Sequence, residues 1–276
     1  MDGTNVLTVP APPAEAATRR RVAARRPVLT GVWLPLGILA LWELASHLRW
    51  VKPIFLPTPE KTVAAFFAMM TKQDFLSDIL ASLEVVSQGF VYGAVLGIAI
   101  GGAAGLSRTV QRVLGPTFDS IRQIPAIAWL PLVVLWLGIG PLAKIVIITK
   151  VVFFPVFLNT LQGIRGVPKD YIDLAEVLTL RRWQFIRRII IPAATPSILV
   201  GVRYGAGLAW AMVVVAEGLS GMQGIGYLIF RAQALLMTDQ LLVCMVVIGL
   251  VGFIIDRGVL LLERYLLRWK QGFEGT

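Results

Sequence analysis

The sequence has very few of the residues that build metal centres and covalent cross-links. Its 276 residues include one cysteine, Cys244, and one histidine, His47. A single cysteine excludes a disulfide framework, and these two residues together cannot form a structural zinc site, an iron–sulfur cluster or a Cys–His nucleophile. Most metal and thiol chemistry is therefore excluded for this chain.

Charged residues are also scarce, at 15% of the sequence compared with about 25% in ordinary soluble domains. Hydrophobic residues make up 57%, and the mean hydropathy is +0.76. This composition leaves too few polar side chains to cover the surface of a water-soluble globule of this size. A membrane protein is the class that fits.

Stretches of about 20 mostly apolar residues, the length needed to cross a bilayer, occur six times. We therefore predict an all-α polytopic membrane protein with about six transmembrane helices. The predicted spans are Val28–Ser46, Val85–Leu106, Phe118–Leu137, Ala143–Ile164, Ala193–Ala216 and Gln240–Leu262. Two shorter segments are expected to lie at the membrane surface: an amphipathic helix over Pro59–Met70, with Val63, Phe66, Phe67 and Met70 on one side, and a re-entrant or interfacial helix over Tyr227–Met237.

The distribution of Lys and Arg predicts the orientation, because cytoplasmic flanks carry the excess of these residues. With the N-terminus inside, 18 of the 26 Lys and Arg residues fall on the cytoplasmic side, six fall outside and two lie within spans. Both termini are therefore predicted to be cytoplasmic. The net charge of +10 then indicates membrane orientation, and no nucleic-acid partner is expected.

Three regions are expected along the chain. Residues 1–27 are rich in Ala, Pro and Arg without periodicity, which predicts a disordered cytoplasmic tail whose Arg cluster lies near anionic lipid headgroups. Residues 28–268 form the transmembrane domain, and residues 269–276 form a second cytoplasmic tail.

Glycines recur at every fourth position along the second predicted span, at Gly89, Gly93, Gly97, Gly101 and Gly105. Small residues at this spacing form a groove along one helix face, where another helix can approach closely in lipid. The stripe is therefore a packing motif. Its partner is either another helix of the same chain or a second copy of the protein.

The longest predicted cytoplasmic loop, residues 165–191, has enough residues to form two short helices, over Lys169–Leu178 and Arg181–Ile191. Pro192 then fits the first turn of the fifth span. Each helix has an apolar side. Such a loop is either a docking site for a partner or a pair of interfacial helices in the lipid headgroups.

This loop resembles the conserved cytoplasmic loop of ATP-binding-cassette importer permeases, whose pattern is E-A-A, three residues, G, nine residues, then I-x-L-P. Here Asp173, Ala175, Thr179 and the run 189–192 fall at the matching positions. The chain departs from the pattern at Asp173, Leu174, Thr179 and Ile191. Thr179 matters most, because the glycine of the pattern permits a positive φ in the bend.

The segments 125–131, 136–140, 153–160 and 224–226 also resemble the nitrate, taurine and aliphatic-sulfonate branch of these permeases. The resemblance implies an importer with two permease copies, two cytosolic ATPases that bind ATP and Mg²⁺, and an extracytoplasmic solute-binding protein. It further implies that the ATPases contact Asp173, Ala175, Glu176, Thr179, Leu180 and Trp183. The chain has no G-x-x-x-x-G-K-[ST] motif of its own, so it is expected to bind no nucleotide or other cofactor.

Three charged residues within or at the ends of the predicted spans are candidates for the transport pathway. Lys150 is either an anion-attracting group or a side chain that snorkels outward, as Lys144 is expected to do, and Glu217 is one possible counter-charge for Lys150. Arg203 and Glu217 are candidates for gating or packing ion pairs. The substrate class expected from Lys150 is a small anion.

Two other functions remain as rivals at this stage. An ion-coupled secondary transporter needs intramembrane carboxylates or histidines and usually has internal repeats. A membrane enzyme needs a nucleophile, a metal or an acid–base cluster. The sequence offers little for either, and the permease interpretation is favoured.

Overall fold

The computed structural model describes residues 33–72, 74–220 and 223–268, and within these ranges every regular element is a helix. This agrees with the all-α prediction. The helices are α1 (Trp33–His47), α2 (Pro59–Lys72), α3 (Phe75–Leu106), α4 (Arg108–Gln123), α5 (Ala126–Leu137), α6 (Pro141–Arg165), α7 (Lys169–Val177), α8 (Arg182–Phe185), α9 (Ile191–Ser220), α10 (Ile225–Ala234) and α11 (Thr238–Leu266). The tails predicted at residues 1–27 and 269–276 lie outside the described residues.

The described residues divide into two units, one that ends at Trp50 and one that begins at Val51. The first unit contains α1, whose 15 residues are fewer than the roughly 20 that cross a bilayer. The predicted first span begins at Val28, and residues 28–32 are outside the described ranges. A total of six spans therefore stays a prediction.

In the second unit, four described helices are long and apolar enough to cross a membrane: Phe75–Leu106, Pro141–Arg165, Arg182–Leu219 and Thr238–Leu266. The pair α4 and α5 makes a fifth if it forms one broken span. The second predicted span is longer than expected, because the helix begins at Phe75 rather than Val85. Asp78, in the first turn of this extension, accepts a hydrogen bond from the Gly224 N–H at 2.9 Å.

The third predicted span, Phe118–Leu137, is not one continuous helix. It divides at Ile124 and Pro125, where α4 and α5 meet at a bend of 95°. Ile124 has an extended backbone, with φ −78° and ψ 115°. Proline disfavours the helical conformation in the residue before it, and this explains why the helix ends there.

Helix α6 lies between α3 and α9, and the glycine stripe forms its contact with α3. A Cβ atom placed on Gly93 would lie 2.7 Å from the carbonyl oxygen of Thr149, and one on Gly101 would lie 2.7 Å from that of Phe157. The two backbones are thus too close for any side chain at these positions. All five glycines face residues of α6, so the stripe packs within the chain.

The opposite side of α6 packs against α9 through the same kind of close backbone contact at glycines. A Cβ atom on Gly201 would lie 3.0 Å from the carbonyl oxygen of Pro155, and one on Gly163 would lie 3.1 Å from that of Ala194. Helix α6 is therefore held on two sides by close backbone contacts. Since little hydrophobic force acts between helices in lipid, such close packing supplies much of their association.

The second helix predicted for the long loop is not separate from the fifth span. Residues Arg182–Leu219 run as one apolar helical stretch, and a π-helical turn at Ile186–Ile190 joins α8 to α9. Pro192 therefore lies inside a continuous helix rather than in the first turn of a new one. A proline ring collides with the carbonyl four residues earlier, and the wider π turn just before Pro192 relieves that collision.

Helices α10 and α11 differ from the predicted segments in their first and last residues, and α2 follows its predicted segment closely. Helix α10 covers Ile225–Ala234 rather than Tyr227–Met237, and α11 extends the sixth span to Thr238–Leu266. In α2 the buried residues are Thr62, Ala65 and Met69. In the predicted apolar face Val63, Phe67 and Met70 are exposed, which is compatible with a helix at the membrane surface, while Phe66 packs partly against the core.

Candidate functional site

The loop that resembles the permease motif forms a helix–turn–helix, the α7–α8 segment (Lys169–Phe185). Thr179, which follows α7, has a φ of +46°. Its N–H donates to the Glu176 carbonyl at 3.0 Å, and the Leu180 N–H donates to the Ala175 carbonyl at 3.1 Å. These two bonds define a Schellman motif, whose left-handed position is usually glycine. Thr179 therefore adopts the left-handed conformation that glycine permits in the family pattern.

Most of the α7–α8 segment is exposed. Val177 and Trp183 are 79% and 67% exposed, whereas Ala175 is buried. A cleft of 320 Å³ opens beside the turn, lined by Ile172, Ala175, Glu176, Thr179, Leu180, Arg182 and Phe185. Four of the six sequence-predicted coupling residues meet at this cleft, while Asp173 and Trp183 lie outside it and are exposed. A cluster of large exposed apolar residues is typical of a surface that binds a partner.

A buried polar cluster holds the N-terminus of α10. Its three successive N–H groups, at Gly224, Ile225 and Gly226, donate to Asp78 Oδ1 at 2.9 Å, Ser82 Oγ at 2.9 Å and Glu217 Oε2 at 3.0 Å. Ser82 Oγ in turn donates to Glu217 Oε2 at 2.8 Å. The first N–H groups of a helix have no partner within it. Here side chains from α3 and α9 supply those partners.

Lys144 joins this cluster, although the sequence suggested that it would snorkel outward. It is only 6% exposed, and its Nζ donates to the Gln223 carbonyl at 3.1 Å. Lys144 and Glu217 attract each other electrostatically and line one cavity of 610 Å³, together with Glu84 and Gln88. Burial of the ammonium is tolerated because it has both a hydrogen-bond acceptor and a nearby carboxylate.

Lys150 does not pair with Glu217, although the sequence had left that pairing open. Its Nζ donates to the Ile124 carbonyl at 2.9 Å and lies 5.4 Å from the ring centre of Trp129 and 5.7 Å from that of Phe154. The Ile124 carbonyl belongs to the break between α4 and α5, where a regular helical partner is lost. The lysine thus ties α6 to that break.

Arg203 forms an ion pair between α9 and α11. Its Nε and Nη2 donate to Asp256 Oδ1 and Oδ2 at 3.0 and 3.2 Å, a bidentate arrangement, and its Nη1 lies 3.8 Å from Glu263 Oε2. This bears out an ion pair for Arg203 and identifies its partners. The three candidate pathway residues therefore have different partners and do not converge on one point.

Sequence reasoning missed the partners of these charges, namely Asp78, Ser82, Lys144, Ile124, Asp256 and Glu263. One signal was available: Asp78 and Ser82 are four residues apart, so they share a helix face. The pairing of Arg203 with α11 depends on how two distant helices pack. Nothing in the local sequence specifies that pairing.

Comparison with known proteins identifies the family. Residues 93–268 match the family described as binding-protein-dependent transport system inner membrane component. The chain belongs to this family. It is a permease of the ATP-binding-cassette importers, in the nitrate, taurine and sulfonate branch, as the loop and the other motifs had indicated.

Similar proteins cover nearly the whole permease. A Bacillus subtilis (strain 168) protein, named provisionally as the aliphatic sulfonates transport permease protein SsuC, is 35% identical over 97% of this chain and 97% of its own length. The taurine transport system permease protein TauC of Escherichia coli (strain K12) is 34% identical over 91% and 94%. The bicarbonate transport system permease protein CmpB of Synechococcus elongatus is 32% identical over 88% and 92%. These relatives are transport subunits, which points to a role without catalysis.

Solved structures support the fold. The inward-facing MetNI methionine transporter has a chain with a TM-score of 0.61 at 16% identity, covering 69% of this permease and 95% of that chain. An amino acid ABC transporter solved with histidines gives a TM-score of 0.59, covering 72% and 98%. At this level of identity the likeness concerns the fold alone.

Proposed function

We propose that this permease forms the membrane pathway of an importer for a small anionic solute, driven by separate ATPase subunits. The observation that carries the proposal is the exposed α7–α8 segment. It presents a cleft and large apolar side chains, and its turn keeps the left-handed geometry of the family motif. The names of the relatives, which include taurine, bicarbonate and aliphatic sulfonates, support an anionic or zwitterionic solute.

The partners follow from this function. Cytosolic ATP-binding subunits, which carry ATP and Mg²⁺, dock on the α7–α8 segment through Asp173, Glu176, Leu180 and Trp183. An extracytoplasmic binding protein delivers the solute on the other side of the membrane. A second copy of the permease completes the pathway, since one chain with this few spans encloses little space. The chain itself binds no nucleotide or metal in this proposal.

The orientation places both termini and the α7–α8 segment in the cytoplasm of a bacterial cell, with the chain in the inner membrane. The excess of Lys and Arg on this side supports it, because these residues favour the cytoplasmic flank. The cluster around Glu217 and Lys144 then lies near the outer surface. An ion-coupled secondary transporter is not favoured, since the relatives are ATP-binding-cassette permeases.

The test is a charge reversal on the α7–α8 segment in the assembled importer. Glu176 is exposed and lines the cleft, so Glu176→Lys changes the docking surface while the helices in the membrane keep their contacts. We expect solute-stimulated ATP hydrolysis to fall at least tenfold, with normal amounts of folded permease in the membrane. ATP hydrolysis by proteoliposomes and permease yield are the two measurements.

The matched control is Arg112→Glu, which reverses an exposed charge on α4, outside the α7–α8 segment. It is expected to leave stimulated hydrolysis within about twofold of the wild type, as exposed charges contribute little by themselves. Full stimulation in Glu176→Lys would contradict the docking role. Absence of stimulated hydrolysis in the wild-type complex, for every anion tried, would contradict the proposed function itself.

A further inference from the structure

Lys150 lacks the compensating carboxylate that two other cations of the spanning helices, Arg203 and Lys144, have. Arg203 has Asp256 at 3.0 Å, and Lys144 is attracted by Glu217. For Lys150, by contrast, the described part of the chain provides no carboxylate within the 4.0 Å that defines an ion pair. Its contacts are one carbonyl and two aromatic rings.

The depth of Lys150 argues against snorkelling. Nine residues separate it from Pro141 at the start of α6, which corresponds to about 14 Å along the helix, and the other end at Arg165 is about 22 Å away. Its Nζ also donates to the carbonyl of Ile124, at the break between α4 and α5. An ammonium at this depth is costly unless water or an opposite charge lies nearby.

An apolar slot lies beside this ammonium. It has a volume of 350 Å³, within the usual range for small-molecule sites of about 300–1,000 Å³. Its walls come from α4, α5 and α6 and include Ile121, Trp129, Val133, Trp136 and Ile147. Lys150 is the one charged residue that lines it, so the slot combines a single cation with aliphatic and aromatic walls.

Trp129 adds an unused hydrogen-bond donor to the same group of residues. Its indole Nε1 is buried and has no acceptor among the described residues. The Lys150 ammonium has three donors, of which one is directed to Ile124. A buried donor without an acceptor is unfavourable. The oxygen atoms of an anionic group bound here would supply an acceptor for Trp129 Nε1 and for the remaining N–H groups of Lys150.

We propose that Lys150 and this slot bind an organic anion, with the anionic head group on the ammonium and an apolar chain or ring against Trp129, Val133 and Trp136. The inference rests on the proposed function and narrows its substrate class. A small inorganic anion such as nitrate leaves the apolar walls unused, whereas each methylene group placed in the slot gains the free energy of leaving water.

The test measures binding of linear alkanesulfonates, from methanesulfonate to hexanesulfonate, to the full-length permease in nanodiscs of neutral lipid. The affinity of the wild type should rise about fourfold with each methylene group until the slot is full. Sodium nitrate should compete weakly. Equal affinities for methanesulfonate and hexanesulfonate, or nitrate binding as tight as that of hexanesulfonate, would overturn the proposal.

Two substitutions separate the head group from the slot. Lys150→Met should weaken the binding of every sulfonate at least tenfold. Lys150→Arg should bind sulfonates within a few-fold of the wild type, because the charge persists. The uncharged 1-hexanol should bind equally to the wild type and to both variants. Trp136→Ala removes an exposed wall and should flatten the dependence on chain length without changing methanesulfonate binding. Unchanged sulfonate binding in Lys150→Met would refute the role of the ammonium.

Two further experiments distinguish this proposal from a lipid site and from a failure of the proposed function. If an anionic lipid occupied the slot, nanodiscs of phosphatidylglycerol would weaken hexanesulfonate binding in the wild type much more than in Lys150→Met, and the proposal would fall. Measurements on the assembled importer distinguish a failure of the proposed site from a failure of the proposed function. Hydrolysis stimulated equally by methanesulfonate and hexanesulfonate contradicts the organic-anion site but leaves the importer function intact. The binding assay uses the permease alone and does not depend on the ATPase.

Discussion

The contact between α3 and α6 and the turn at Thr179 are two places that favour glycine, for different reasons. At Gly93 the constraint comes from a neighbouring helix, since any Cβ atom would meet the Thr149 carbonyl of α6. At Thr179 the constraint comes from the residue's own backbone, which has a positive φ. The chain keeps glycine in the first case and uses a β-branched residue in the second.

This difference reflects the size of the two penalties. A side chain that collides with a neighbouring backbone must push two helices apart, and the whole contact along α3 is lost with it. A left-handed conformation costs a non-glycine residue about 1–3 kcal/mol and stays local. An interhelical contact therefore tolerates less variation than an exposed turn does.

The largest effect is expected from a side chain within the glycine stripe. Gly93→Leu should reduce the free energy of unfolding by about 3 kcal/mol or more, because α6 can no longer approach α3. The measurement is the yield and thermal stability of the purified permease. Gly102→Leu is the matched control on the same helix, since a Cβ atom there meets nothing within 4 Å. Equal losses in the two variants would show that the stripe does not form the critical contact.

A smaller effect is expected where the cost is an unpaired polar group rather than a collision. In Glu217→Ala, the Gly226 N–H and the Ser82 hydroxyl lose their buried acceptor, at about 1–3 kcal/mol for each donor. Glu217→Gln keeps one acceptor oxygen and should lose about half as much. Thermal unfolding of purified protein measures both.

The control for this prediction is Glu84→Ala. Glu84 lines the same 610 Å³ cavity, but it is exposed, and among the described residues its carboxylate accepts a bond only from Gln88 one turn away. Such exposed pairs contribute little, so we expect a change within about 0.5 kcal/mol. Stability of Glu217→Ala equal to that of Glu84→Ala would mean that the cluster does not hold α10.

Sequence reasoning succeeded where local pattern determines the outcome. The spacing of glycines on α3 predicted a close helix contact, and the motif around Thr179 predicted a bend between two helices. It failed at one local signal and where distant residues decide. The break at Pro125 was missed because Phe118–Leu137 has the length of one span, although the proline and the polar residues before it, such as Arg122 and Gln123, were visible signals.

The partners of the charged residues show the same limit more clearly. Glu217 was one possible counter-charge for Lys150, yet in the structure Lys150 donates to the Ile124 carbonyl, which becomes available only because α4 ends there. Lys144, near the start of the same helix, was assigned to the surface and is buried beside Glu217 instead. A one-dimensional pattern gives the depth of a charge along a span but not its direction around the helix.

The smallest effect is expected at the turn itself, from Thr179→Gly. Glycine removes the strain of the left-handed conformation but adds about 0.5–1 kcal/mol of chain entropy in the unfolded state, so the net local stabilisation is about 1 kcal/mol. Hydrogen exchange at the Leu180 N–H, which donates to the Ala175 carbonyl, should therefore slow by about fivefold.

Thr195→Gly is the matched control, because Thr195 is helical and its hydroxyl donates to the Ile191 carbonyl at 2.7 Å. That change should destabilise its helix by about 0.5 kcal/mol or more. Faster exchange in Thr179→Gly would mean that contacts of the threonine side chain outweigh the backbone strain, and the turn would then depend on its neighbours as the glycine stripe does.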